Sequence, residues 1–365
     1  MNRSITGRLA VVAATATAAA TVLAGTVLAG PALADSVAGH VYEATNAAAG
    51  NAVQVFDRGT DGSLTPGALV PTGGLGAGVS LASQGGITRD GDRLLVVNAG
   101  DNTVTSFRIT GSGLERRDVE PSGGVRPVSV TVHDNLVYVL NAGSDSITGL
   151  RLDGGGHLAP IAGSSRALSG TATGAAQVQF SADGDALVVT EKATQHLDTY
   201  RVGRGGLATG PTVTVAAGNT PYGFDIDRRG HVVVSEAATG SVSSYQLGAR
   251  SLSVVTAALA DGQAAPCWLV LSKDGRFAYT TNAASGTISS YSVAADGSLT
   301  LLAAVAATPG AGPTDVARSG DGRFLFARVR NGSVAAYAIS ANGSLTSLGV
   351  ASGATSIGSS GLAAS

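Results

Sequence analysis

The amino-acid sequence repeats at intervals of about 47 residues, and this period constrains the fold more than any other feature. Each repeat contains a polar residue that ends an apolar run, and an aromatic or large apolar residue follows nine or ten positions later. The polar positions are Asn46, Asn98, Asn141, Glu191, Glu236, Asn282 and Arg328. The second set is Phe56, Phe107, Leu150, Tyr200, Tyr245, Tyr291 and Tyr337. Seven such units account for residues 35–365.

Each unit has the texture of short β-strands. Asn282 opens a turn that leads into an alternating strand ending near Tyr291, and Asp296-Gly297 is a typical hairpin signal. Apolar runs such as Leu136–Leu140 favour strands that are buried on both faces. Glycine supplies 52 of the 365 residues, as a turn-rich packed fold requires. The sequence therefore predicts an all-β seven-bladed β-propeller with four antiparallel strands per blade.

The two ends of the repeating region complement each other. Residues 359–365 match the innermost strand of a unit, but the strands that should follow it are missing. Residues 37–46 begin at the second strand of a unit. We therefore expect the N-terminal and C-terminal strands to share one blade, which closes the ring without a free sheet edge.

The first 34 residues have the composition of a signal peptide. Arg3 and Arg8 precede a nearly uncharged stretch that ends in Ala32-Leu33-Ala34, a small-x-small cleavage site. We expect cleavage after Ala34, secretion, no stable membrane insertion after cleavage, and one mature propeller domain over 35–365. An uncleaved membrane anchor is the alternative, although the Ala, Thr and Gly content makes the run weakly hydrophobic.

The composition excludes several classes of function. A formal net charge of −2 gives no basic footprint for nucleic acid. Cys267 is the single cysteine, so no intramolecular disulfide and no cysteine-rich zinc module can form. The five histidines follow no common spacing, and we expect neither a metal nor a cofactor. The expected partner is a small polar or anionic ligand, and the sequence names no protein partner.

Propeller geometry predicts where such a ligand binds. The innermost strand of a blade is antiparallel to the second, so the first strand's start and the second strand's end lie on one face. Around that mouth we predict ligand contacts from a set of polar and aromatic residues: Gln177, Glu236, Asn98, Asn141, Asn282, Tyr222, Trp268 and Asp315. Alternatively, the repeated asparagines serve turn geometry, and the charged replacements at this position form a rim salt link.

The blade phrases resemble a known family. Val96-Val-Asn-Ala99, Ser272-Lys-Asp-Gly-Arg-Phe-Ala-Tyr279 and Asp296-Gly-Ser-Leu-Thr300 are similar to phrases of the lactonase family of seven-bladed propellers. That family includes 6-phosphogluconolactonase and 3-carboxy-cis,cis-muconate lactonising enzymes. The likeness extends over nearly all of 35–365, but its motifs report the fold more than the activity.

The resemblance also implies a catalytic site, which this sequence matches only in part. Val189-Thr190-Glu191 agrees with the family's pattern, which implies Glu191 as base or orienting group. We predict that Arg126 or Arg328 holds an anion beside it. Gln177 stands where the family has a histidine, Ala176 where it has an arginine, and Val128 where it has a second histidine.

Two functions remain open at this point. The first is an exported lactonase-like protein that hydrolyses or forms a small carboxylated or sugar lactone. The alternative is a non-catalytic ligand- or protein-binding propeller that has lost the family's histidines, because glutamine and valine cannot exchange a proton near neutral pH. A concave mouth would favour the enzyme, and a plugged mouth would favour the binding propeller.

Overall fold

The computed structural model describes residues 1–2, 37–249, 251–310, 312–353, 358 and 361–365. Most of the predicted leader and its cleavage site therefore lie outside the described residues. The described part contains 29 β-strands in seven sheets, which confirms the predicted all-β, seven-bladed propeller. No helix among the described residues is long and apolar enough to cross a bilayer.

The strands are named in chain order and grouped by blade from the channel outward. Blade 1 contains β29 (Leu362–Ala364), β1 (Gly39–Ala44), β2 (Ala52–Arg58) and β3 (Leu64–Pro71). Blade 2 contains β4 (Ile87–Asp90), β5 (Arg93–Asn98), β6 (Thr103–Thr110) and β7 (Gly113–Pro121). Blade 3 contains β8 (Pro127–His133), β9 (Leu136–Asn141), β10 (Ser146–Leu152) and a split outer strand, β11 (Leu158–Pro160) and β12 (Arg166–Ala167).

The other four blades follow the same order. Blade 4 contains β13 (Ala175–Phe180), β14 (Ala186–Glu191), β15 (His196–Val202) and β16 (Ala208–Val215). Blade 5 contains β17 (Pro221–Ile226), β18 (His231–Glu236), β19 (Ser241–Leu247) and β20 (Leu252–Ala260). Blade 6 contains β21 (Pro266–Leu271), β22 (Phe277–Asn282), β23 (Thr287–Val293) and β24 (Leu299–Ala307). Blade 7 contains β25 (Pro313–Arg318), β26 (Phe324–Val329), β27 (Ser333–Ile339) and β28 (Leu345–Ser352).

Blade 1 closes the ring as the sequence predicts. The C-terminal strand β29 pairs antiparallel with β1, with Leu362 opposite Glu43 and Ala364 opposite Val41. The main chain of Ser365 continues this contact by donating to the His40 carbonyl at 2.9 Å. The innermost position of this blade is thus filled by the far end of the chain, and its second strand gains a partner on its inner edge.

The repeated aromatic and large apolar residues form the contacts between blades. All seven lie on third strands and are at most 4% exposed. Burying one such side chain contributes roughly 1.5–3 kcal/mol, so this repeated position is a main source of stability. The fourth strands are mostly exposed, which is why the apolar runs mark only the inner strands of each blade.

The innermost strands of neighbouring blades run in the same direction. The Val178 amide donates to Ser129 Oγ at 3.2 Å, and the Phe180 amide donates to Thr131 Oγ1 at 3.2 Å. Both chains advance together, so these strands are parallel. The channel therefore has an entry end, where the innermost strands begin and the second strands finish, and an exit end, where the innermost strands finish in short hairpins.

Candidate functional site

The seven repeated polar residues lie at the entry end, at or just after the ends of the second strands. All are at most 2% exposed, and their side chains form hydrogen bonds within the protein. Asn98 Nδ2 donates to Thr103 Oγ1 at 2.9 Å and to Thr105 Oγ1 at 2.8 Å. Asn282 Nδ2 makes the matching pair with Thr287 and Ser289. The repeated asparagine thus fastens the second strand to the third.

Asn141 and Asn46 complete this group. Asn141 Nδ2 donates to Thr148 Oγ1 at 3.3 Å, the same strand-to-strand contact. Asn46 has a φ of 50°, in the left-handed region that the turn alternative assumes, whereas Asn98, Asn141 and Asn282 are extended. Turn geometry therefore accounts for one of the four asparagines, and cross-strand hydrogen bonding accounts for the others.

Glu191 lies in a buried polar cluster on the side of blade 4. Its Oε1 accepts from the Ser169 amide at 3.0 Å, and its Oε2 accepts from Ser169 Oγ at 2.5 Å and from the Thr194 hydroxyl. Ser169 Oγ also lies 2.8 Å from His196 Nδ1. Burial and the neighbouring Glu191 carboxylate together raise the pKa of Asp198. The two carboxylates are therefore held with fewer than two negative charges near neutral pH.

The other charged residues of the repeat, Glu236 and Arg328, are also buried and bound to other side chains. Arg328 Nε donates to Glu43 Oε1 at 2.5 Å, and both side chains are at most 1% exposed. Glu236 accepts from Tyr245 Oη at 3.2 Å, and burial raises the pKa of Glu236 to about 7. Arg126 is exposed just before blade 3. Glu191 and Arg328 bind different partners, and the roles assigned to Glu191, Arg126 and Arg328 remain predictions.

The mouth at the entry end is filled by a segment of the chain itself. This entry plug, Leu81–Gln84, belongs to the connection between β3 and β4. Its Ser83 carbonyl accepts from Trp268 Nε1 at 2.8 Å, and Ser83 Oγ donates to the Val128 carbonyl at 2.8 Å. These contacts tie the plug to blades 6 and 3.

Gln84 carries the plug across the channel. Its amide nitrogen Nε2 donates to the Leu269 carbonyl at 2.7 Å, and its Oε1 accepts from the Leu269 amide at 3.0 Å. The Gln84 main chain donates to the Ala176 carbonyl at 3.1 Å. Lys192 Nζ binds the Ala82 carbonyl and lies 4.8 Å from the centre of the Tyr222 ring. A segment from blades 1 and 2 is thus fixed by blades 3, 4 and 6.

The two predicted aromatic ligand contacts lie in the entry plug's surroundings. Tyr222 and Trp268 pack edge to face at 5.2 Å between ring centres and are 7% and 6% exposed. Burial raises the pKa of the neighbouring Cys267 thiol to about 12, so the thiol is protonated and inert as a nucleophile.

Two of the three positions where the resemblance implies basic residues support this closed end. Val128 and Ala176 are at most 1% exposed, and their carbonyls accept from the entry plug. Gln177 braces blade 4 against blade 5: its Nε2 donates to the Phe224 carbonyl at 2.9 Å and its Oε1 accepts from the Phe224 amide at 2.8 Å. The amide of Gln177 is therefore fully used within the protein.

The exit end holds a cavity of about 420 Å³ inside the channel, here called the channel pocket. Gln177 and Asp315, two of the predicted ligand contacts, line this pocket. Four further titratable residues line it too: Arg89, His133, Asp225 and Arg318. They occupy the last or second-to-last positions of the innermost strands. A charged residue or a histidine near the end of an innermost strand, just before the exit-end hairpin, is the signal that could have revealed them.

The channel pocket is polar and contains two cations. Asp225 Oδ1 accepts from Gln179 Nε2 at 2.8 Å, and its Oδ2 accepts from the Leu271 amide at 3.0 Å. Arg318 Nε donates to the Leu271 carbonyl at 2.9 Å and Nη1 donates to the Ser319 carbonyl at 3.0 Å, which leaves Nη2 for a ligand. Burial raises the pKa of Asp315 to about 7, which limits its negative charge. This balance suits a small anion or a polarised carbonyl group.

No cluster of three or more metal-ligating side chains occurs among the described residues. Asp225 and Asp315 are the acidic residues of the channel pocket, and each already accepts a main-chain hydrogen bond. The groups in this pocket are therefore suited to hydrogen bonding and proton transfer.

Comparison with known proteins assigns the family. The sequence matches the family described as "Lactonase, 7-bladed beta-propeller" over residues 41–255 and 234–359. The chain belongs to this lactonase family. No curated protein matches the sequence significantly.

Several solved structures share the lactonase-family fold. A Lactobacillus plantarum protein is 18% identical with a TM-score of 0.74, covering 90% of this chain and 99% of its own. A Bacteroides fragilis protein described as a 6-phosphogluconolactonase is 17% identical with a TM-score of 0.72, covering 92% and 100%. The Pseudomonas aeruginosa periplasmic gluconolactonase is 20% identical with a TM-score of 0.71, covering 89% and 98%. Identities this low establish a common fold only.

Proposed function

We propose that this lactonase-family protein opens a small carboxylated or sugar lactone in the channel pocket at the exit end. The observation that carries the proposal is that one cavity contains a histidine, His133, and two arginines, Arg89 and Arg318. Lactone opening requires a proton acceptor that works near neutral pH and a cation or donor for the developing oxyanion. These are the groups that positions 128, 176 and 177 lack.

The proposed reaction is addition of water to the lactone carbonyl. His133 takes a proton from the attacking water as the new carbon–oxygen bond forms. One arginine stabilises the oxyanion, and the other holds the carboxylate or a hydroxyl group of the substrate. The ring carbon–oxygen bond then breaks, and the proton passes from His133 to the departing alkoxide, giving a hydroxy acid. The reverse sequence forms the lactone.

The test is turnover of a lactone panel, including glucono-δ-lactone, 6-phosphogluconolactone and a carboxylated muconolactone, corrected for spontaneous hydrolysis. The exchange His133→Gln should lower kcat by about 10²–10⁴-fold, the usual contribution of a general acid–base group. His157→Gln is the matched control, because His157 is a 60% exposed side chain outside the channel pocket. Turnover retained in His133→Gln would overturn the assignment of the base.

The same panel distinguishes the channel pocket from the site that the family resemblance implies. Loss of turnover in Glu191→Gln, with His133→Gln unaffected and both proteins folded, would move the chemistry to Glu191 and its buried cluster. Arg126→Gln and Arg328→Gln then test the anion-holding role in that site. Arg328→Gln must be checked for folding, because it removes a buried ion pair with Glu43.

A second candidate is a non-catalytic propeller that binds a small anionic ligand. It is favoured by the entry plug, which fills the mouth where the resemblance places the reacting groups. This candidate predicts binding of hydroxy acids such as gluconate in the channel pocket, weakened in Arg89→Gln, with no lactone turnover above the spontaneous rate. Calorimetry on the folded protein separates it from the enzyme.

We also propose that the protein is exported. The support is the sequence of residues 1–34, with Arg3 and Arg8 before an apolar stretch and a small-x-small ending at Ala34. Mass spectrometry of the protein from its native host should give an N-terminus at Asp35. An intact N-terminus in a membrane fraction would favour the anchor instead.

A further inference from the structure

A continuous groove runs from the channel pocket across the exit-end hairpins of blades 4 to 7. It consists of three cavities of about 300, 530 and 450 Å³. Arg228 lines all three cavities, and the middle cavity shares Asp225 and Arg318 with the channel pocket. A ligand in the channel pocket therefore has an open path along this exit groove.

The hairpins of blades 4, 6 and 7 that border the exit groove share one design. In each, a serine hydroxyl binds the aspartate two residues later: Ser181 to Asp183, Ser272 to Asp274 and Ser319 to Asp321. The glycine that follows the aspartate has a positive φ between 70° and 81°. In each of these turns, the aspartate carboxylate thus stabilises the turn by accepting the serine hydrogen bond.

Blade 5 keeps the turn but changes its charges. Its sequence is Asp227-Arg228-Arg229-Gly230, and Gly230 retains a positive φ of 82°. Asp227 takes over the carboxylate role: Oδ1 accepts from the Arg229 and His231 amides at 2.8 and 2.9 Å. Its Oδ2 accepts from the buried His231 Nδ1 at 2.8 Å. Two adjacent arginines occupy positions that turn geometry leaves free to vary.

The cations of the exit groove are available to a ligand. Arg228, Arg229 and Lys273 are exposed, and within the described residues their side chains make no hydrogen bond or ion pair. The turn carboxylates between them keep free oxygen lone pairs for hydroxyl groups. A chain that alternates carboxylates with hydroxyl donors matches this lining better than a polymer of carboxylates alone, which the aspartates repel.

We propose that the exit groove binds an acidic oligosaccharide, with sugar carboxylates on Arg228, Arg229 and Lys273 and sugar hydroxyls on the turn carboxylates. The inference extends the proposed function, since the terminal sugar acid of such a chain enters the channel pocket as the lactone or its hydroxy acid. Bidentate arginine–carboxylate contacts would fix the register of the chain along the groove.

The test compares the binding of a short oligogalacturonate, a neutral cello-oligosaccharide of equal length and a short polyglutamate by calorimetry at low salt. Oligogalacturonate should bind, and affinity should fall at least tenfold in Arg228→Ala/Arg229→Ala. The matched control is Arg116→Ala/Arg204→Ala, which removes two exposed arginines outside the groove and should keep the affinity within twofold. Added salt should weaken binding in the wild type.

Each outcome separates the exit groove from the proposed reaction. No binding of oligogalacturonate, or equal losses in the groove pair and the control pair, would overturn the inference. Polyglutamate that binds more tightly than oligogalacturonate would also overturn it and indicate an acidic peptide partner. Groove-dependent binding without turnover of any lactone would support the exit groove and reject the proposed catalysis. Loss of monomeric lactone turnover in the groove pair would contradict the separation of the two sites.

Discussion

The two ends of the channel are formed by the same innermost strands, yet one is closed and the other is open. At the entry end, the side chains of Ser83 and Gln84 form hydrogen bonds with the main chains of other blades around the channel. At the exit end, Arg89, His133 and Arg318 line a pocket of about 420 Å³. The entry end is thus a packed interior with satisfied hydrogen bonds, and the exit end has charged groups available for a ligand.

The difference comes from the lengths of the connections. The chain from Pro71, where β3 ends, to Ile87, where β4 begins, is long enough to cross the mouth and return. The exit-end hairpins are tight turns, such as Ser272–Phe277, and cannot reach the axis. One long connection therefore decides which end of a propeller can hold a ligand.

The largest expected effect tests the closed end. Trp268→Ala removes the hydrogen bond to the Ser83 carbonyl and the packing against Tyr222. We expect a loss of about 3–5 kcal/mol in the free energy of unfolding, because a large buried side chain leaves a cavity. Urea unfolding followed by circular dichroism measures it.

The control for this prediction is Leu302→Ala on the outer strand of blade 6, where the side chain is 48% exposed. It should change the free energy of unfolding by less than about 0.5 kcal/mol. Equal effects of the two substitutions would mean that the entry plug is not a structural element. The entry end would then not be the packed interior that distinguishes it from the exit end.

Most of the fold, but only part of the candidate site, follows from the sequence. The period, the strand texture and the complementary ends each constrain the ring, because every blade repeats one hydrophobic pattern. The direction of the strands also predicts that the repeated polar residues lie at the entry end. The openness of that end does not, since it depends on contacts such as Trp268 with Ser83, separated by 185 residues. Periodicity carries no information about such long-range contacts.

The residues of the channel pocket are hard to predict from the sequence for a related reason. Arg318 and Asp225 belong to no pattern that recurs in every blade: β25 ends in Arg318, for example, whereas β21 ends in Leu271 and β13 in Phe180. The repeated pattern instead contains Asn98 and its equivalents, because the same cross-strand hydrogen bonds recur from blade to blade. In a repeat protein, the departures from the pattern are therefore better guides to a ligand site than the pattern itself.

The second prediction uses the opposite titration of the two ends. At the entry end, burial raises the pKa of Glu236 to about 7, and burial together with the neighbouring Glu191 carboxylate raises the pKa of Asp198. At the exit end, hydrogen bonds outweigh the effect of burial and lower the pKa values of Asp183 and Asp274, the latter to about 2. A carboxyl group with a raised pKa keeps its proton in the folded state, whereas the same group in the unfolded chain releases its proton above about pH 4.

The free energy of unfolding should therefore fall as pH rises from about 4.5 to 7, because the entry-end carboxyl groups lose their protons. For Glu236 we expect a loss on the order of 2 kcal/mol. The exit-end groups lose their contribution only as pH falls below about 4 toward 2. Glu236→Gln should reduce the difference in Tm between pH 5 and pH 8, and Asp183→Asn should leave that difference unchanged. A Glu236→Gln protein with the wild-type pH dependence would contradict the assignment of the entry-end acids.

The smallest expected effect compares the only two lysines of the chain, one at each end of the channel. Lys273 is exposed on an exit-end hairpin, whereas Lys192 is half-buried with Nζ bound to the Ala82 carbonyl of the entry plug. Burial lowers the pKa of Lys192 to about 8, so more of its amine is neutral at pH 8 than that of an ordinary lysine. Chemistry alone would make it the more reactive of the two.

We nevertheless expect acylation of Lys192 at pH 8 to be about tenfold slower than that of Lys273, because the reagent must wait for the entry plug to open locally. Peptide mapping by mass spectrometry follows both rates in one sample. Trp268→Ala should accelerate modification of Lys192 under conditions in which the variant stays folded, while Lys273 keeps its rate and serves as the internal reference. Equal rates in the wild type would mean that the plug opens freely, and the entry end would then be a gated mouth that admits small molecules.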